Sequence, residues 1–182
     1  MTMANTEQVI IAGFGGQGVM LIGQILSYAA TNKGVNTVWI PSYGPETRGG
    51  TANCSVSISD EMINSPIVTS PDSVIAMNLP SLQKFEPKLK KDGILLVNTS
   101  AIKDYNYRED IKVIKIDANK EALSLGNLKV ANMIMLGAYI QASGVFEKDN
   151  ITEIFTKIFT DSKAKLIDVN IKALETGMKL AT

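Results

Sequence analysis

Four glycines with a glutamine among them, Gly13, Gly15, Gly16, Gln17 and Gly18, stand between the apolar run Val9–Ala12 and a helical pattern. The G-x-G-x-x-G spacing suits a tight turn, because glycine accepts positive φ and lets another molecule approach the backbone closely. The first N–H groups of the helix that follows have no partner within the helix, and an anion is their natural guest. The same glycines also serve simply to pack a helix closely on a strand. Gln17 carries a neutral amide that both donates and accepts, which suits an uncharged contact to a cofactor or to another chain's backbone. No Lys-Ser or Lys-Thr pair follows, so the turn is not a P-loop.

A second cluster lies in the loop Ser42–Gly50. Tyr43 offers a stacking face and a hydroxyl, and Arg48 a planar fork of donors for phosphate or carboxylate. Gly49 and Gly50 keep that surface open. Glu46 and Arg48 have a plainer reading, a local ion pair. Loops at the carboxyl ends of strands converge in an α/β sheet, so turn and loop are expected to face one crevice.

A dinucleotide fold would place an acidic residue about 20 positions beyond the glycines to bind the ribose hydroxyls. No Asp or Glu occurs between Glu7 and Glu46, and the second strand ends in Ile40-Pro41-Ser42. Glu46 sits in a proline-glycine loop, and Arg48 stands without other basic residues to meet an NADP phosphate. The residues argue against NAD(P).

Two absences bound the chemistry further. The chain has no histidine, and Cys54 is its single cysteine. Ser-His-Asp and Cys-His nucleophilic pairs, an ordinary zinc site, a Cys-ligated iron–sulfur cluster and an internal disulfide are all excluded. No catalytic residue and no metal ligand is therefore assigned to this chain. Net charge is zero with 20% charged residues, so nothing points to nucleic acid or a membrane surface. Apolar stretches are too short or interrupted to span a bilayer. Met1–Gln8 has no cationic start or signal-like stretch, and a cytoplasmic protein is expected.

The elements that must position these residues follow from periodicity. At 182 residues, 45% of them hydrophobic, one domain over 1–182 is expected. Val9–Ala12 reads as a buried strand and Val19–Asn32 as a helix closed by Lys33-Gly34. Asn36–Ile40 reads as a strand ended by Pro41. Ala52, Cys54, Val56 and Ile58 alternate with polar residues, which argues for an antiparallel or near-edge strand with one wet face and Cys54 in the core. Pro66 and Pro71 leave Ile63–Thr69 ambiguous. Ser73–Met77, Ile94–Asn98 and Lys112–Asp117 read as strands, Leu79–Lys90 and Val130–Ser143 as helices, and Ala118–Gly126 as a short helical piece. A helix begun at Asp149 or Asn150 and another over Asn170–Leu180 cover the core from about residue 150. The alternation gives an α/β, three-layer, Rossmann-like domain with a mostly parallel, mixed sheet.

Gly13-Phe14-Gly15-Gly16-Gln17-Gly18-Val19 together with Tyr43-Gly44-Pro45-Glu46-Thr47-Arg48-Gly49-Gly50 resembles the gamma subunit of the 2-oxoacid:ferredoxin oxidoreductases, the pyruvate, 2-ketoisovalerate and 2-oxoglutarate enzymes. Asn132-Met133-Ile134-Met135-Leu136-Gly137-Ala138 resembles that family's later helix. The likeness runs from Glu7 to about Gly144 and is strongest to the small gamma chain of the 2-oxoglutarate enzyme.

The resemblance implies a division of labour. Thiamine diphosphate and magnesium lie between alpha and beta subunits; iron–sulfur clusters sit in beta and, where present, a delta subunit. The complex decarboxylates a 2-oxoacid, reduces ferredoxin and passes the acyl group to coenzyme A. Gly13, Gly15, Gly16, Gln17, Gly18, Tyr43, Glu46, Arg48, Gly49 and Gly50 would then form the coenzyme A side and dock on alpha and beta. Two alternatives stay open: a purely structural assembly subunit, and a stand-alone NADP-binding Rossmann protein. An isolated gamma chain would cover an orphan interface by pairing as a homodimer.

Overall fold

The computed structural model describes residues 6–44 and 50–182. In chain order the elements are β1 (Glu7–Phe14), α1 (Val19–Asn32), β2 (Asn36–Tyr43), β3 (Thr51–Ser59), β4 (Ser73–Ala76), α2 (Leu79–Phe85), β5 (Ile94–Asn98), β6 (Lys112–Ile116), α3 (Ala118–Ser124), α4 (Ala131–Ser143), α5 (Lys148–Ile158) and α6 (Ile167–Leu180). The sheet order is β2-β3-β1-β4-β5-β6. β1, β4, β5 and β6 are parallel neighbours, while β3 runs antiparallel between β1 and β2.

Strand alternation sorts the core into two layers. Val9, Ile11, Cys54, Ile75 and Leu96 face α1, α4, α5 and α6. Ile10, Ala12, Val74, Ala76, Leu95 and Val97 face α2 on the other side. β4 and β5 are apolar without a break because both their faces are covered. Every residue of α4 from Ala131 to Ile140 is buried, as expected of a helix apolar all round. Its outer side is closed by α6, where Gly137 and Gly177 bring the two backbones into contact. A Cβ on Gly177 would overlap the Ile134 carbonyl oxygen, and one on Gly137 the Leu174 carbonyl oxygen.

The mixed α/β architecture and the order of elements agree with the sequence reading; the differences are local. β2 does not stop before Pro41 but runs through it to Tyr43. Proline is tolerated because β2 is an edge strand, where a missing N–H can face solvent. β3 is antiparallel, as its alternation suggested, yet its polar face is only partly wet. Ser57 and Ser59 are buried, and they accept from Gln8 Nε2 (3.3 Å) and Thr6 Oγ1 (2.9 Å).

The helix expected over Leu79–Lys90 ends at Phe85. Pro87 belongs to a 3-10 turn, Glu86–Lys88, that follows. Glu147, rather than Asp149 or Asn150, caps α5, and the Asn150 side chain accepts the Glu147 N–H (3.1 Å). α6 begins at Ile167, earlier than expected, and Ile63–Thr69 forms neither helix nor strand.

Candidate functional site

The glycine turn lies at the carboxyl end of β1. Gly16 and Gly18 have φ of 95° and 75°, the left-handed region that favours glycine. Gly18 N-caps α1 without a side-chain cap, and no acidic residue lies in the first turn. The positive end of this 14-residue helix is therefore left open.

Within the turn, the donors divide into used and unused. Phe14 N–H donates to Gln17 Oε1 (2.7 Å). Gly15 N–H donates to the Gly50 carbonyl (3.0 Å), and Gln17 N–H to the Phe14 carbonyl (3.1 Å). Among the described residues, the N–H groups of Gly16, Gly18 and Val19 have no acceptor. They border a crevice of about 390 Å³ between the turn, the first turn of α1 and the ends of β2 and β3. Gly15, Gly16, Gly18, Val19, Met20, Tyr43, Gly50 and Ala52 line it, and none of these is acidic.

Register explains the shape of that crevice. Gly13 stands opposite Ala52, and Ala52 opposite Tyr43, so one row across three strands runs from small to large. Tyr43 is 63% exposed and rises as the far wall. The β2–β3 hairpin thus brings Tyr43 and Gly50 to the glycine turn, as the convergence of loops predicts. Pro45, Glu46, Thr47, Arg48 and Gly49 lie outside the described residues, so three of the sequence-derived site residues have no stated position.

Gln17 faces away from the crevice, and its amide is used within the chain. Its Oε1 also accepts from Asn78 Nδ2 (3.3 Å), and its Nε2 donates to the Met77 carbonyl (3.4 Å). Gly13 makes room for this arrangement: a Cβ there would lie 2.6 Å from Gln17 Oε1 and 2.9 Å from Met77 Cβ. Asn78 in turn caps α2 by accepting the Ser81 N–H (2.9 Å). From the other layer, Asn132 at the start of α4 donates through Nδ2 to the Gly18 carbonyl (3.3 Å). Sequence reasoning did not assign Asn78 or Asn132 to the site. Asn78 before Leu79-Pro80 is a cap signal, and Asn132 is a polar residue near the start of an apolar helix.

The gap between β1 and β4 is the topological switch point, where an open α/β sheet ordinarily binds its ligand. Gln17 and Asn78 bridge it. The open crevice lies instead on the β3 side of β1. β3 also separates β2 from β1, which removes the end of β2 from the place of a ribose clamp. Behind the crevice, Cys54 is fully buried and its thiol donates to the Val19 carbonyl (3.4 Å). Burial pushes its pKa up to about 11, and it is a core residue.

Residues 8–180 match the family model for pyruvate ferredoxin/flavodoxin oxidoreductase. The chain is 43% identical over 171 residues to the ketoisovalerate oxidoreductase subunit VorA of Methanothermobacter marburgensis, covering 93% of this chain and 35% of that one. It therefore spans about a third of that relative's length. It is 33% identical to the 2-oxoglutarate synthase subunit KorC of Methanocaldococcus jannaschii, covering 96% of this chain and 94% of that one. The solved gamma subunit of a keto/oxoacid ferredoxin oxidoreductase from Geobacter sulfurreducens superposes with a TM-score of 0.81 at 28% identity, covering 96% and 98% of the two chains. With the glycine turn, the inserted β3 and these likenesses in place, the chain belongs to the pyruvate ferredoxin/flavodoxin oxidoreductase family.

Proposed function

We propose that this chain serves as the gamma-type subunit of a thiamine diphosphate-dependent 2-oxoacid:ferredoxin oxidoreductase, and that its crevice receives coenzyme A. The observation that carries this is the set of N–H groups at Gly16, Gly18 and Val19 that find no acceptor among the described residues, opening on a crevice whose described lining has no acidic residue. Coenzyme A brings phosphate anions suited to an uncapped helix N-terminus. Tyr43 offers a face or a hydroxyl to the same ligand, and Arg48 on the adjoining loop a cation.

In the assembled enzyme the 2-oxoacid is oxidatively decarboxylated, ferredoxin takes the electrons, and the acyl group passes to coenzyme A. This chain binds and orients; alpha and beta subunits, with a delta subunit where present, hold thiamine diphosphate, magnesium and the iron–sulfur clusters. Cys54, buried and bonded to Val19, does not fit a cluster ligand. The proposed 2-oxoacid is 2-oxoglutarate, supported by the end-to-end match to KorC. Ketoisovalerate is the second reading, supported by the higher identity to VorA. No described helix is long and apolar enough to cross a membrane, and a cytoplasmic location is part of the proposal.

Replacing Arg48 with Ala in the reconstituted complex tests it. A hydrogen bond to a charged group is worth about 1.5–3 kcal/mol, so the coenzyme A KM rises roughly 10- to 100-fold. The 2-oxoacid KM and subunit co-purification stay unchanged. An unaltered coenzyme A dependence rejects the assignment. Loss of co-purification instead favours a purely structural role, which the exposure of Phe14 and Tyr43 at the crevice rim supports.

A further inference from the structure

We infer that Asn132 is a positioning residue for the crevice, holding the Gly18 peptide so that the donors at the start of α1 face the ligand. This rests on the coenzyme A reading for the identity of the ligand, but not for the geometry. Asn132 is 4% exposed within the fully buried stretch Ala131–Ile140 of α4, and such a polar group must be satisfied. Its Nδ2 donates to the Gly18 carbonyl, which also accepts the Ile22 N–H (3.2 Å). That carbonyl is thereby tied from α4 and from within α1, and the peptide plane of the cap is fixed.

The side chain also occupies the space a Cβ on Gly18 would need, so the asparagine in this position requires glycine at 18, as the left-handed φ of 75° does independently. Only a donor suits the site. An aspartate would set a carboxylate against a carbonyl oxygen and beside the donors meant for an anion. Asn132 thus links the sheet-covering helix α4 to the binding turn.

The test compares Asn132→Leu and Asn132→Asp in the assembled complex. For both, the coenzyme A KM rises tenfold or more, further for Asp, while kcat at saturation and the 2-oxoacid KM hold. Hydrogen exchange at Ile22, whose N–H the Gly18 carbonyl accepts, quickens at least tenfold in Asn132→Leu, with β5 amides unchanged. Exchange that stays at the parent rate overturns the inference. Faster exchange with an unchanged coenzyme A KM upholds the positioning role and rejects coenzyme A as the ligand. If Asn132→Leu does not assemble, the near-isosteric Asn132→Asp decides: an unchanged KM together with unchanged exchange overturns the inference.

Discussion

The Tyr139 hydroxyl, fully buried on α4, donates to the Glu7 carboxylate at 3.1 Å, at the pole of the sheet opposite the glycine turn. Ser73 Oγ donates to the same oxygen at 2.8 Å. Burial raises the Glu7 pKa above its ordinary 4.5, against these two hydrogen bonds and the nearby Lys90, with Asp72 adding to the rise. The folded state therefore holds its proton more tightly than the unfolded chain. Stability from this group is fully present below pH 4.5 and is lost as pH rises through the folded value. Gln at position 7 keeps the acceptor and removes the charge. Glu7→Gln is expected to raise the Tm at pH 7–8 and flatten its decline above pH 4.5, read by thermal melts across pH. A Tm that falls equally at every pH rejects this account.

The α4–α6 contact predicts a stability effect without any polar group. The Gly177 backbone lies against the Ile134 carbonyl, so even a methyl group forces the helices apart. Overpacking of this kind costs about 1–3 kcal/mol, and each kcal/mol lowers the Tm of a chain this size by ~2–4 °C. Gly177→Ala should show that loss in a thermal melt, while Gly144→Ala, at a cap with open space around it, loses only the cost of its left-handed φ of 67°.

Cys54 should be inert in the native protein. At pH 8, a thiol with its pKa pushed up to about 11 holds roughly a thousandth of its population as thiolate, and the sulfur is fully buried. Titration with a chromogenic disulfide is expected to give no reaction under native conditions and one thiol per chain in denaturant. Rapid native labelling would contradict the core position.

These residues also mark what was legible in the sequence. The glycine turn, the α1 period and the inward placement of Cys54 depend on neighbours within a few positions, so local pattern carried them. The insertion of β3 between β1 and β2 depends on pairing across some 40 residues, which no local signal encodes. The 3-10 turn at Pro87 carried a plain signal that a longer apolar period masked. For Gln17 the residue type was informative, an amide that donates and accepts, but its partners Met77 and Asn78 lie about 60 positions away. Asn132 acts across 114 positions. Chemistry was readable; direction was not.

The glycine turn also bears on dinucleotide binding. A Rossmann site needs its crevice open at the switch point and a ribose clamp at the end of the neighbouring strand. Here the Gln17–Asn78 bridge fills the first. The second is lost because β3, not β2, stands beside β1. Calorimetric titration of the full chain with NADPH should therefore give no binding heat at ~0.1 mM, about −5.5 kcal/mol on the affinity scale. Gln17→Ala removes the bridge and destabilises the turn by about 1 kcal/mol for each hydrogen bond lost. It leaves β3 in place, so NADPH should still fail to bind. Binding by the parent chain would restore the stand-alone reading. Binding gained only in Gln17→Ala would mean that the amide bridge, and not the inserted strand, is what excludes dinucleotides from this fold.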